Sequence, residues 1–171
     1  PTRRSSDLGT ATLTIDPEMK TVVAPDRCVP EALKEPLLKE PLEKELSRLC
    51  ELEVIAPVDK PTDWVSNILV ARKKSDDVRV CINPQALNKA LKRERYQLPV
   101  LEDLLPKLSK AKVFTTIDLK SGYWHVTLDS RSSHLTTFSS PFGRFRFLCL
   151  PFGCNVSSEI FQKKLCDAIG D

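Results

Sequence analysis

The sequence has 171 residues, enough for one domain of ordinary size. It is 41 % hydrophobic and 29 % charged, too apolar for a wholly disordered chain and too charged for a membrane-embedded one. No apolar run reaches the ~18 residues of a spanning helix and no signal peptide opens the chain, so an intracellular location without a membrane partner is expected. The net charge of +3 says little about partners by itself.

The six cysteines, at 28, 50, 81, 149, 154 and 166, show no CxxC spacing. His125 and His134 are not set for a zinc site, so reduced, mostly buried thiols are expected. The opening PTRRSSDL resembles a translated sequencing-adapter frame, and residues 1–12 are expected to be a disordered or artefactual leader. The only methionine is Met19, and the sequence stops at Asp171 within a helical pattern, as a fragment would.

Charge is unevenly spread. Ile15–Lys60 holds 11 acidic and 7 basic residues, whereas Ala71–Arg95 holds 8 basic and 3 acidic ones. The second stretch suits a phosphate-bearing partner, and it equally suits a solvated basic face. Pro17, Pro25 and Pro30 mark residues 13–30 as an extended lead-in strap. Leu42, Leu46 and Leu49 recur at helical spacing and predict an amphipathic helix over about 40–52. NILVA (67–71) and VRVCI (78–82) read as two strands of a hairpin whose tip, RKKSDD, is basic. Pro84–Leu91 and Pro99–Leu108 read as short helices with early prolines. Strands are predicted over Val113–Asp118, Tyr123–Leu128, Leu135–Phe138 and Arg144–Cys149, and a helix from Ser157 to Ile169. Nine of the 11 aromatics lie between Phe114 and Phe161, which places the main core there. Short hairpins and helices without βαβ alternation predict an α+β fold with a largely antiparallel sheet and packed helices.

Four features could carry chemistry. Asp118 ends the run VFTTID beside a tight turn, where a carboxylate suits Mg²⁺ with substrate phosphates, or caps the turn through local hydrogen bonds. Tyr123 follows five residues on, as a floor under a nucleotide sugar or as core. Arg79 could fork onto a triphosphate or lie on the surface of its strand. Leu150-Pro151-Phe152-Gly153 is a sharp strand-to-helix break where glycine permits close backbone approach and helix-entry amides favour anions.

Taken in order, IAPVDKPTDWVSNILVARKK, VRVCINPQALNKALKRERYQLP, VLEDLLPKLSKAKVFTTIDLKSGYWHV, LTTFSSPFGRFRFLCLPFG and EIFQKKL resemble the reverse transcriptases of gypsy-type LTR retrotransposons. The resemblance runs from about Ile15 to the end of the sequence. It implies a right-hand polymerase: residues 13–39 as strap, 40–110 mainly fingers, 111–171 mainly palm. It further implies template-directed deoxynucleotidyl transfer to a primer 3′-hydroxyl by a two-magnesium mechanism, with Mn²⁺ as a substitute metal. Asp118 and the Leu119 carbonyl would be metal ligands, Asp118 the catalytic carboxylate. Arg79, Lys73, Lys74, Tyr123, Phe152 and Gly153 would hold the nucleotide, and Asn155 and Gln162 would face the template and primer. The implied partners are an RNA or DNA template with primer and deoxynucleoside triphosphates, within a Pol polyprotein adjoining RNase H, protease and integrase domains.

Some positions depart from the family pattern. The paired aspartates expected on a hairpin downstream of the Phe-Gln helix are absent, and Asp76-Asp77 lies in the basic turn instead. A fragment with one carboxylate is expected to be inactive and, with an unpaired strand edge, poorly soluble. Asn83 stands where relatives carry aspartate, and Ser158 where a proline begins the last helix. Glu53 stands where a glycine would end a helix in the left-handed conformation, at a cost of about 1 kcal/mol. These departures leave an alternative function, a domesticated non-catalytic nucleic-acid-binding module.

Overall fold

The computed structural model describes residues 8–24, 36–72, 78–96, 102, 105–106, 109, 112–116 and 118–169. Helix α1, Pro36–Glu51, contains the predicted leucine stripe. Leu42, Leu46 and Leu49 are all buried, worth roughly 2 kcal/mol each against leaving them in water. Its opposite face carries solvent-side pairs at helical spacing, Glu40 with Lys44 and Glu45 with Arg48. The helix ends with Val54 N–H donating to the Leu49 carbonyl and Glu53 N–H to that of Cys50. That double bond pattern needs a left-handed residue at position 53, and Glu53 adopts it at φ 54°.

The main sheet is mixed and largely antiparallel, in the order β2 (Ile55–Pro57), β7 (Gly143–Phe147), β6 (Phe138–Ser140), β3 (Ser66–Arg72), β4 (Val78–Asn83). β3 and β4 form the predicted hairpin, with Leu69 opposite Cys81 and Ala71 opposite Arg79. β3 runs parallel to β6, and the other pairings are antiparallel. Period-2 burial decides the faces: Val78, Val80 and Ile82 point into the core, while Arg79 is exposed on the other side. Phe138 lies among Phe145 and Phe147 at centroid distances of 6.0 and 5.5 Å, which centres the core on the short strands. Helix α2, Gln85–Ala90, follows Pro84, and helix α4 spans Ser157–Ile169 as predicted.

Up to residue 24 the described strap is extended except for a turn at 17–19, and residues 36–39, expected within it, already belong to α1. Lys92 N–H donates to Thr14 O, Asp16 N–H to Ala90 O and Ala24 N–H to Val65 O. Residues 8–12, expected within the leader, also pack: β1, Thr10–Ala11, runs parallel to β5, Thr127–Leu128, and Ala11 is buried. The predicted helix at Pro99–Leu108 and the hairpin tip with Lys73, Lys74, Asp76 and Asp77 lie largely or wholly outside the described residues.

Three predicted strands are corrected. Val113–Asp118 contains no strand in its described residues, and Val113 and Phe114 are 83 % and 65 % exposed. No described strand pairs with them, and an extended run gains little without a ladder partner and a buried face. Tyr123–Leu128 opens as a 3-10 turn, Gly122–His125, because Ser121 is left-handed and its carbonyl accepts from Trp124 N–H at 2.8 Å. Leu135–Phe138 becomes a strand only at Phe138: Leu135 closes helix α3, Ser130–Leu135, and Thr136 is its C-cap, while its N-cap Asp129 accepts from Ser132 N–H at 2.8 Å. Ser132 Oγ in turn accepts from Leu13 N–H at 2.7 Å, fastening the strap to α3.

Candidate functional site

The segment entering the Ser121-Gly122 turn places Asp118 and Leu119 on one wall of a groove of about 380 Å³, within the size range of ligand clefts. Ser121, Gly122, Tyr123, Phe152, Phe161 and Leu165 complete the lining. Asp118 is exposed, as an acceptor for a cation from solvent must be. The Tyr123 ring lies between two aromatics, tilted against Phe152 at 4.9 Å and edge-on to Phe161 at 5.3 Å. Phe161 reaches this position only because Gly122 lacks a side chain, since a Cβ there would stand 2.8 Å from the ring.

The turn carrying Phe152 is seated by Gly153. Its φ is +109°, and a Cβ would lie 2.2 Å from the Ile82 carbonyl oxygen on β4, an impossible contact with backbone. Ser157 Oγ donates to Pro151 O at 2.9 Å across the same turn. Cys154 beside it is buried, which pushes its thiol up to about 12 and leaves it protonated. Cys81, on β4, is also raised by burial, with Arg79 opposing weakly.

The groove therefore gathers Asp118, Leu119, Tyr123 and Phe152, together with Phe161. Arg79, Gly153, Asn155 and Gln162 do not line it. Arg79 projects from the outer face of β4, and Lys73 and Lys74 lie outside the described residues. Gln162 donates to Cys166 Sγ at 3.3 Å along α4. Asn155 is engaged with α2: its backbone N–H donates to Asn88 Oδ1 and its Nδ2 to Asn88 O, both at 3.0 Å. Asn88 went unnoticed in the sequence because its partners lie 65 to 67 positions away. Within the basic stretch Arg93 is neutralised by the buried Glu159 of α4, while Glu94 pairs with Lys163 at 3.0 Å. A smaller cavity of about 160 Å³ lies beside the Arg93–Glu159 pair, separate from the Asp118 groove.

A resident divalent ion can be tested against this donor set. The Asp118 carboxylate and Leu119 carbonyl are hard oxygen donors of the right kind for Mg²⁺. Among the described residues no cluster of three acidic, histidine or cysteine side chains could hold a metal. The groove fits an ion in kind but supplies too few carboxylates for a pair of ions.

The family described as reverse transcriptase (RNA-dependent DNA polymerase) matches residues 71–170. The enzymatic polyprotein of Cauliflower mosaic virus (strain Strasbourg) is 35% identical over 136 residues, covering 78% of this chain and 20% of that protein. The retrovirus-related Pol polyprotein from transposon 412 of Drosophila melanogaster is 30% identical over 132 residues, covering 74% and 10%. The chain thus spans a fifth or less of these relatives. Among solved structures, a prototype foamy virus protease-reverse transcriptase CSH mutant matches with TM-score 0.65 and 18% identity, covering 93% of this chain and 19% of that one. A foamy viral protease-reverse transcriptase in complex with RNA/DNA hybrid matches with TM-score 0.61 and 19% identity, covering 75% and 17%. These structural likenesses bear on the fold, a polymerase fingers and palm fragment.

Proposed function

This chain belongs to the reverse transcriptase (RNA-dependent DNA polymerase) family, and from that premise we propose that the Asp118 groove is its deoxynucleotide and metal site. One observation carries the reading: the exposed Asp118 and the neighbouring Leu119 line a groove together with the three-ring cluster of Tyr123, Phe152 and Phe161. In this proposal Asp118 and the Leu119 carbonyl hold a divalent ion. When bound, that ion neutralises phosphate charge and activates the primer hydroxyl. Tyr123, fixed by Phe152 and Phe161, offers a rigid face to the sugar and disfavours a 2′-hydroxyl. Arg79, with Lys73 and Lys74, approaches the triphosphate from the β3–β4 hairpin, and Asn155 and Gln162 belong to the template side.

The partners proposed are an RNA or DNA template with primer and deoxynucleoside triphosphates, within a Pol polyprotein adjoining RNase H, protease and integrase domains. No described helix is long and apolar enough to cross a membrane. An intracellular setting is part of the same proposal.

The excess of basic residues over Ala71–Arg95 suits a second reading, a non-catalytic nucleic-acid-binding module. A polypeptide that joins these residues to a downstream Asp-Asp hairpin separates the two. Primer extension that Asp118→Asn abolishes supports the enzyme. Salt-sensitive binding without extension supports the module, and extension untouched by Asp118→Asn refutes the metal role.

A further inference from the structure

The turn that carries Phe152 is held not only by the Ser157 bond to Pro151 O but also by a side chain from another element, Asn88. Asn88 lies on α2, half-buried, 65 positions from Gly153. Its Nδ2 donates to the Gly153 carbonyl at 2.9 Å. Its Oδ1 accepts the Asn155 backbone N–H at 3.0 Å, and its own carbonyl accepts Asn155 Nδ2 at 3.0 Å. A single amide thus satisfies both backbone groups that flank Cys154, with one donor and one acceptor borne on the same carbon. Gly153 is pressed against the Ile82 carbonyl on the neighbouring side. The turn is therefore caught between β4 and α2, and Phe152 leaves it directly to meet Tyr123 at 4.9 Å.

We propose that Asn88 is a positioning residue for the groove: by clamping residues 153–155 it sets the Phe152 ring, and through it the Tyr123 face on which the nucleotide sugar rests. The second half of that statement rests on the proposed nucleotide site, whereas the first concerns the chain's own geometry. The chemistry restricts position 88 closely. Aspartate keeps the acceptor for Asn155 but sets a carboxylate oxygen against the Gly153 carbonyl, and alanine loses both bonds. The Arg93–Glu159 pair offers an internal control, since it joins the segment just after α2 to α4 without touching the turn.

The test compares Asn88→Asp, Asn88→Ala and Arg93→Gln in the same polypeptide. Amide exchange at Asn155 and the Tyr123 ring resonances are followed by NMR, and thermal melting monitors general loss of stability. Asn88→Ala is expected to speed exchange at Asn155 by tenfold or more. Asn88→Asp, the gentler variant should alanine fail to fold, is expected to leave Asn155 protected. Both are expected to shift the Tyr123 resonances, whereas Arg93→Gln is expected to leave both readouts unchanged whatever its melting point. Unmoved Tyr123 resonances in the Asn88 variants overturn the proposal, as does an equal shift in Arg93→Gln. In a polymerase-competent protein carrying these residues, Asn88→Asp is expected to raise the KM for deoxynucleotide several-fold with kcat little changed. Moved Tyr123 resonances with an unchanged KM support the clamp and count against the nucleotide reading.

Discussion

In the five-stranded sheet β4 alternates buried and more exposed residues, and the apolar side chains of the sheet pack around Phe138 and against α1. Between Val113 and His125 the chain does the reverse, leaving Val113, Phe114 and Asp118 open to solvent and turning sharply at Ser121. In the first region the sequence period sets the structure, because each misplaced residue would move an apolar side chain into water. In the second, close contacts do so: Gly122 admits the Phe161 ring, and a 3-10 turn stands in place of a ladder. The sheet is therefore held by its buried face, and the groove by a few close contacts with little room for an added atom.

The sharpest way to break this contrast is Gly153→Ala. The added Cβ meets backbone, which cannot rotate aside, and φ is already unfavourable for alanine. We expect a loss of about 3 kcal/mol or more, read by urea denaturation. A loss under about 1 kcal/mol would show that the turn moves freely.

Gly122→Ala should cost less, about 1–2 kcal/mol, because the atom it meets belongs to the Phe161 ring, which has room to shift. Combining it with Phe161→Leu should recover part of the loss. A double-mutant cycle with a coupling of about 1 kcal/mol would confirm that glycine and ring are one unit, and strict additivity would deny it.

Asp129 caps α3, the helix that runs into the first residue of an expected strand, Leu135. Burial raises its carboxyl, but hydrogen bonds from Ser132, Thr12 and the Arg131 backbone outweigh this and hold it below the ordinary value. Its folded pKa is therefore lower than its unfolded one. The stabilisation is fully present above the ordinary aspartate range and lost as pH falls through the lower folded value. Asp129→Ala should cost about 1 kcal/mol at neutral pH and flatten the acid limb of the stability curve. An unchanged acid limb would remove the cap from that account.

The smallest effect tests the sheet side. Glu53→Gly should raise stability by up to about 1 kcal/mol, since the left-handed φ of 54° costs glycine nothing. A destabilised variant would mean that Glu53 makes compensating contacts.

What could be read from the chain follows the same division. The leucine stripe of α1, the β3–β4 hairpin and α4 are long or strongly periodic, and the left-handed Glu53 falls where the family resemblance implies a helix-ending glycine. The 3-10 turn and α3 span only 4 and 6 residues, too short for periodicity to register. Their signals are local instead: Ser121-Gly122 for the turn and Asp129-x-x-Ser132 for the cap. At the groove, Asp118, Leu119, Tyr123 and Phe152 were named from motifs and do line one cleft. Asn88 could not be foreseen, because nothing in its own segment distinguishes it from a solvent-facing helical asparagine. Only the fold carries it to Gly153 and Asn155.

The central claim is that the carboxylate on the groove wall receives a divalent ion beside a nucleotide. Crystals grown with Mn²⁺ and a deoxynucleoside triphosphate, measured at the manganese edge, test it directly. The account predicts an anomalous peak at about 2.1–2.2 Å from an Asp118 carboxylate oxygen, absent in Asp118→Asn. Manganese bound elsewhere with the nucleotide, and none at Asp118, would contradict it.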